Sequence, residues 1–161
     1  MASIAENILQ VRARILTACR AFDRDPGSVG LLAVSKTCPA VSVREAHAAG
    51  LRDFGENYVQ EAVAKMAGLA DLREGLRWHL IGPLQSNKSR EVAERFDWVH
   101  SVDRLKLAQR LSDQRPPALA PLQVCLQVNV SGEESKSGCL PTEAPALARA
   151  IAALPRLRLR G

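Results

Sequence analysis

Leu31-Leu32-Ala33-Val34-Ser35-Lys36-Thr37-Cys38 is an apolar run that ends on a single ammonium group. Leu31 to Val34 has the length of a buried strand, and Pro39 opens a helix, so Lys36 stands at the carboxyl end of a strand where it enters a βα loop. In parallel α/β folds that end carries the chemistry, because the loops vary while the sheet fixes positions. Lys36 is therefore the first side chain to question. A solvated lysine capping a strand has the same local sequence, and only the rest of the chain separates the two readings.

Working outward, Ile4, Ile8, Val11 and Ile15 recur at helical spacing and predict an amphipathic opening helix that ends near Arg20. DRDPGS is a turn before the Leu31 strand. Beyond it, a helix is expected from Pro39 to Ala49, stopped by Gly50. Arg52 to Gly55 reads as a second strand leading into GENY, and Tyr58 to Met66 as its helix. Leu76 to Ile81 is a third strand, broken by Gly82 and Pro83, and SNKSREVAERF follows as a helix with Ser86 as N-cap. Trp98 to Val102 is a fourth strand with a helix from Asp103 to Ser112. After the connector RPPALAP come a long strand from Leu122 to Val130, the loop SGEESKSG, a helix from Thr142 to Ala153, and a sixth strand from Leu157 to Arg160. Six strands alternating with helices imply a parallel sheet built from βαβ units. An open doubly wound sheet commonly shows a glycine-rich phosphate loop after its first strand, which VSKTCPA is not. A (β/α)8 barrel has eight strands and about 250 residues. The pattern of elements alone leaves both open.

The 161 residues are 47% hydrophobic, enough for a real core in an α/β chain of about one domain. The formal net charge of +5 is spread along the chain, and RLRLR at 156 to 160 reads as one solvated basic strand face. With 4% aromatic residues there is no stacking platform interleaved with the basic groups, so no nucleic acid is expected. Cys19, Cys38, Cys125 and Cys139 show no CxxC spacing and fit free thiols in a reducing cytoplasm. The opening MASIAENILQVRARIL is neither a signal peptide nor a membrane span, so a soluble cytoplasmic protein with no membrane partner is expected. His47, His79 and His100 stand apart in the sequence, and no metal is expected.

Each loop after a strand carries a polar cluster: SK, GEN, GPLQSNK, SVD and NVSGEESKSG. Singly these are ordinary, with Asn57 and Ser86 as caps, Gly55 and Gly82 as turns, and Lys88 and Lys136 as solvated lysines. On a barrel all five loops share one mouth around Lys36, and convergent polar groups over an apolar floor make a ligand site. An amine near low-dielectric strands is more readily neutral, and a neutral amine attacks an aldehyde to give an imine. Pyridoxal phosphate (PLP) is the commonest cofactor that uses such a lysine. GPLQSNKS lacks the spacing of a phosphate-cradling P-loop.

LLAVSKT, FGENYVQEA, WHLIGPLQSNKSR, VHSVDR, LSDQRP and VNVSGEESKSG, in this order along almost the whole chain, resemble the pyridoxal phosphate homeostasis proteins, relatives of the amino-terminal barrel of alanine racemase. The resemblance implies a (β/α)8 TIM-type barrel of PLP fold type III, here about six βα units, with residues 1–161 forming one PLP-binding domain that is incomplete at its carboxyl end. It implies that Lys36 forms the Schiff base, that Asn57 and His79 neighbour the cofactor ring, that Ser86, Asn87 and Lys88 line the mouth, and that Lys136 is a secondary lysine able to accept PLP during transfer. The implied role is intracellular PLP and vitamin B6 homeostasis without catalytic turnover, with PLP-requiring apo-enzymes as recipients. Two alternatives stand beside it. A racemase-like enzyme needs a second acid/base, a tyrosine from another domain in the related racemases, and the single tyrosine here, Tyr58, reads as structural. A degenerate module that no longer binds PLP is favoured if the phosphate-binding loops expected after strands seven and eight are missing. The family resemblance implies a monomer at full length. For six strands alone, open edges predict marginal stability or self-association, and a sharp melt of a monomer at high temperature would count against that.

Overall fold

Ser3 starts the first helix: its side chain accepts from the backbone N–H of Glu6, and Glu6 reaches back to the Ser3 N–H at 2.7 Å, a capping box for α1 (Ile4–Ala21). The computed structural model describes residues 2–161. From there strands and helices alternate as β1 (Ala33–Val34), α2 (Ala40–Ala48), β2 (Asp53–Glu56), α3 (Val59–Ala67), β3 (Arg77–Leu80), α4 (Ser89–Arg95), β4 (Trp98–Val102), α5 (Leu105–Gln114), β5 (Leu122–Leu126), α6 (Ala144–Ala152) and β6 (Leu157–Leu159). Every strand pair is parallel and the order is sequential, β1-β2-β3-β4-β5-β6. A doubly wound sheet would reverse direction part-way, whereas sequential order is that of a barrel wall. Among the described residues, β1 pairs only with β2 and β6 only with β5. No helix of the described residues is long and apolar enough to cross a membrane.

Alternation along the strands gives the sheet two chemically different faces. Phe54, Trp78, Leu80, Val99, Leu122 and Val124 point toward the helices and pack with Val43, Ala62, Val92, Leu107, Leu111 and Ile151 into one buried core. The alternate residues, Asp53, Gly55, Arg77, His79, Trp98 and His100, share the opposite face, where polar groups meet one another.

Several elements are shorter than the sequence predicts. Leu31 and Leu32 lie outside β1, whose ladder to β2 starts only at Ala33, opposite Phe54. β5 ends at Leu126 rather than Val130. Its neighbours β4 and β6 stop at Val102 and Leu159, and the following segment bonds to its own loop through Asn129 N–H to Cys139 O and Cys139 N–H to Gln127 O. The helix expected from Ser86 begins at Ser89, after a single tight turn over Ser86–Lys88. Ser86 caps nothing with its hydroxyl, which instead accepts from the Arg104 guanidinium at 3.2 Å.

Candidate functional site

Lys36 is exposed in the turn between β1 and α2. The Ser35 N–H donates to Gly55 O at 2.9 Å, which carries the β1–β2 ladder one step past Val34, and the Cys38 N–H closes the turn on Ser35 O at 3.1 Å. Thr37 has φ +62°, in the left-handed region that a threonine enters at a cost of about 1–2 kcal/mol. Beneath the turn, Lys65 of α3 and Glu56 of β2 form a buried ion pair at 2.6 Å. Because Val34 registers with Gly55, Lys36 and Asn57 each lie two residues beyond a paired rung, at the carboxyl end of the sheet.

The structure brings some of the sequence-predicted residues together and separates others. Asn57 and Lys88 line one open groove of 460 Å³ with Tyr58 and Gln85, between the loops after β2 and β3. Gly82 forms the floor of that junction: a Cβ on it would lie 2.3 Å from Asn57 O, so the two loops touch backbone to backbone. Ser86 is turned to Arg104, Asn87 is exposed, and Lys136 is exposed in the β5–α6 loop. His79 is deeper. It registers with Gly55 and so sits about 7 Å, one side-chain layer, below the level of Lys36 and Asn57.

His79 does not stand alone. Its Nδ1 is 2.9 Å from Nε2 of His100 and its Nε2 is 2.9 Å from Oδ1 of Asp53, which also takes a two-pronged ion pair from Arg77 at 2.6 and 2.7 Å. Since the Asp53 carboxylate accepts, His79 Nε2 carries the hydrogen, its Nδ1 accepts, and His100 Nε2 donates. Trp98 stacks on His79 with centroids 5.2 Å apart, and the Arg160 guanidinium lies 5.9 Å from the Trp98 ring. Burial pushes His79 below the ordinary imidazole value against the opposing pull of Asp53, and burial beside His79 pushes His100 the same way. For Asp53 burial acts upward, but the hydrogen bonds from Arg77 and His79 outweigh it and hold the carboxyl below its usual range.

The alanine racemase N-terminal domain family matches residues 2–161. A pyridoxal phosphate homeostasis protein of Pseudomonas aeruginosa is 70% identical over 161 residues, which span 100% of this chain and 69% of that one. The chain belongs to the pyridoxal phosphate homeostasis protein family. The Escherichia coli member is 57% identical over 162 residues, again across 100% of this chain and 69% of its own. Among solved structures of the family's kind, PipY of Synechococcus elongatus with PLP bound is 45% identical and superposes with a TM-score of 0.77 over 93% of this chain and 68% of that one. Alanine racemase of Corynebacterium glutamicum, at 18% identity and a TM-score of 0.63 over 98% of this chain and 42% of its own, shares the fold.

For a chain of the pyridoxal phosphate homeostasis family, two groupings escape a reading of the sequence. The Asp53, His79, His100 and Trp98 cluster needs the β3–β4 register, His79 opposite Trp98, which places His100 next to His79. The expectation that His79 and His100 stand alone is corrected by that register. The Glu56–Lys65 pair had a sequence signal: Lys65 follows Val59 and Ala62 on the buried stripe of α3, and a lysine there requires a buried anion.

Proposed function

We propose that this chain binds PLP through Lys36 and holds it in the cytoplasm as a reserve for PLP-requiring apo-enzymes, without turnover of its own. The observation that carries the reading is the exposed amine of Lys36 at the carboxyl end of β1, on a turn tied down from below. The residues present fit the aldehyde end of the cofactor: one accessible primary amine, with the other lysine beneath it buried and fully bonded. Bound PLP supplies an aldehyde, toward which Lys36 contributes an Nζ lone pair for the C=N bond as the carbonyl oxygen leaves as water. Asn57 and Lys88 flank the mouth from the neighbouring groove, Ser86 and Asn87 extend it, and Lys136 offers a second amine from the β5–α6 loop. His79 acts from below, through its bonds to Asp53 and His100, rather than as a free donor.

The racemase-like alternative would need a poised second base. A racemase needs an acid/base on each face of the reacting carbon. Tyr58 is exposed at the N-cap position of α3, and both ring nitrogens of His79 are occupied. The test is a visible absorbance titration with PLP, borohydride reduction and peptide mapping, with Lys36→Ala as control and alanine racemisation measured alongside. The expected result is a reduced adduct on Lys36, lost in the variant, and no racemisation. Scattered modification of surface lysines would refute the site, and Lys36-dependent racemisation would refute the absence of turnover.

A further inference from the structure

Lys36 is flanked by two residues that are each bound to a different carboxylate. On one side, the Ser35 hydroxyl donates to Glu56 Oε1 at 2.5 Å. On the other, the Thr37 backbone N–H donates to Glu61 Oε1 at 2.6 Å. A single ammonium joins the two: Lys65 Nζ donates to Glu56 Oε1 at 2.6 Å, to Glu61 Oε1 at 3.2 Å and to Ser35 O at 2.7 Å. All three of its hydrogens are spent, so Lys65 is not a spare amine competing for an aldehyde.

We propose that Glu61, acting with Lys65 and Glu56, is a positioning residue that fixes the aim of the Lys36 amine by clamping the backbone on both sides of it. This rests on the reading of Lys36 as the PLP lysine and deepens it. The geometry has a specific logic. Thr37 is held left-handed, a conformation that persists only where the surroundings enforce it, and the enforcing contact is the Glu61 bond to its N–H. Charge-assisted bonds of this length are among the stronger ones available, and this one holds Glu61 below the usual carboxylate range. Lys36 itself has four rotatable side-chain bonds, so the backbone that carries it sets where its amine can reach. Holding a nucleophile in near-attack geometry is worth orders of magnitude in rate when lost entirely, and part of that when one restraint goes.

Glu61 is also the member that can be tested without collapse. Its side chain is 31% exposed, while those of Lys65 and Glu56 are 5% and 0%. Removing either buried partner would strand the other charge in the interior. Removing Glu61 leaves the Lys65–Glu56 pair intact.

The experiment compares Glu61→Ala, Glu61→Asp and Glu61→Gln with the unaltered chain. Two readouts are taken: the rate of borohydride-trapped PLP incorporation at Lys36, and hydrogen exchange at the Thr37 amide without PLP. In Glu61→Ala we expect trapping at Lys36 to slow about tenfold and Thr37 exchange to accelerate by at least as much, with a circular dichroism spectrum unchanged. Glu61→Asp keeps the charge but withdraws the oxygen by one methylene and should behave like the alanine variant. Glu61→Gln keeps an acceptor at the right reach and should return both readouts to within about threefold. Normal trapping and exchange in Glu61→Ala, or full activity in Glu61→Asp, would overturn the clamp. If the unaltered chain forms no Lys36 adduct, the PLP reading falls instead, and Thr37 exchange still decides the clamp: unchanged in Glu61→Ala it overturns it, accelerated it upholds it.

Discussion

His79 Nδ1 lies 2.9 Å from His100 Nε2, and the same imidazole reaches Asp53 through its other nitrogen, so a carboxylate and two neutral rings form one hydrogen-bonded row across β2, β3 and β4. A second proton on His79 would set N–H against N–H. Both rings titrate below their ordinary value in the fold, burial being the larger cause for each.

That depression has a definite sign for stability. Between the folded value and the unfolded value of about 6.5, the unfolded chain binds more protons, so stability is full above about pH 6.5 and falls as the solution is acidified below it. The slope is at most about 1.4 kcal/mol per pH unit for each proton. Urea unfolding between pH 7.5 and 5 should show the decline, and His100→Gln, which keeps a donor for His79 Nδ1 but removes one titrating ring, should make it shallower. A profile flat across that range would contradict the arrangement. Asp53 adds a further loss only at lower pH, as its own depressed value is crossed.

Gly82 supports the mouth from between the loops after β2 and β3. An added Cβ would stand 2.3 Å from Asn57 O and 2.8 Å from Asn57 Cα, both backbone atoms that cannot swing aside. The Gly82 carbonyl is meanwhile fixed by the Ser101 hydroxyl at 2.7 Å. Gly82→Ala should therefore cost about 1–3 kcal/mol in urea unfolding and displace Asn57 from its groove. A variant as stable as the parent, with unaltered Asn57 side-chain amide resonances, would show that the loops have slack.

Much of this was legible in the sequence. The alternation of strands and helices, the placing of Lys36 at a strand end, and the stops at Gly50 and Gly82 follow from local chemistry, because apolar runs and turn residues act over a few positions. What stayed hidden depends on register. Nothing local tells that β5 loses its partners after Leu126, since that is decided by where β4 and β6 end. The meeting of His79 with His100, and of Lys65 with Glu56, are likewise contacts between elements. Ser86 shows the same limit from another side: its sequence is that of a cap, yet Arg104 from the next loop takes its hydroxyl.

Gly138 holds the base of the loop that carries Lys136. Its φ is +131°, and a Cβ there would come within 2.5 Å of Asn129 N. Gly138→Ala should break the short return pairing of Asn129 with Cys139 and open residues 131–138 to limited proteolysis, while the Lys36 adduct forms as before. Equal protease resistance in parent and variant would argue against that strain.

Arg115 provides the sharpest test of the packing behind the site. It is 4% exposed, and its guanidinium donates to Phe96 O at 2.7 Å, Ala93 O at 2.8 Å and Ala120 O at 2.9 Å. These carbonyls end α4 and lead the chain into β5, so one cation ties the last turn of a helix to the start of a strand. Burial lowers its affinity for the proton, yet a guanidinium remains charged at any ordinary pH, and the three carbonyls are what compensate it. Arg115→Met fills much of the same space but leaves three acceptors without a donor, with an expected loss of about 2–5 kcal/mol in urea unfolding at pH 7.5. Arg115→Lys should recover only part, because an ammonium cannot reach three carbonyls spread over a planar fork. If Arg115→Met unfolds within about 0.5 kcal/mol of the parent, the carbonyls are being met by water and the clamp contributes nothing.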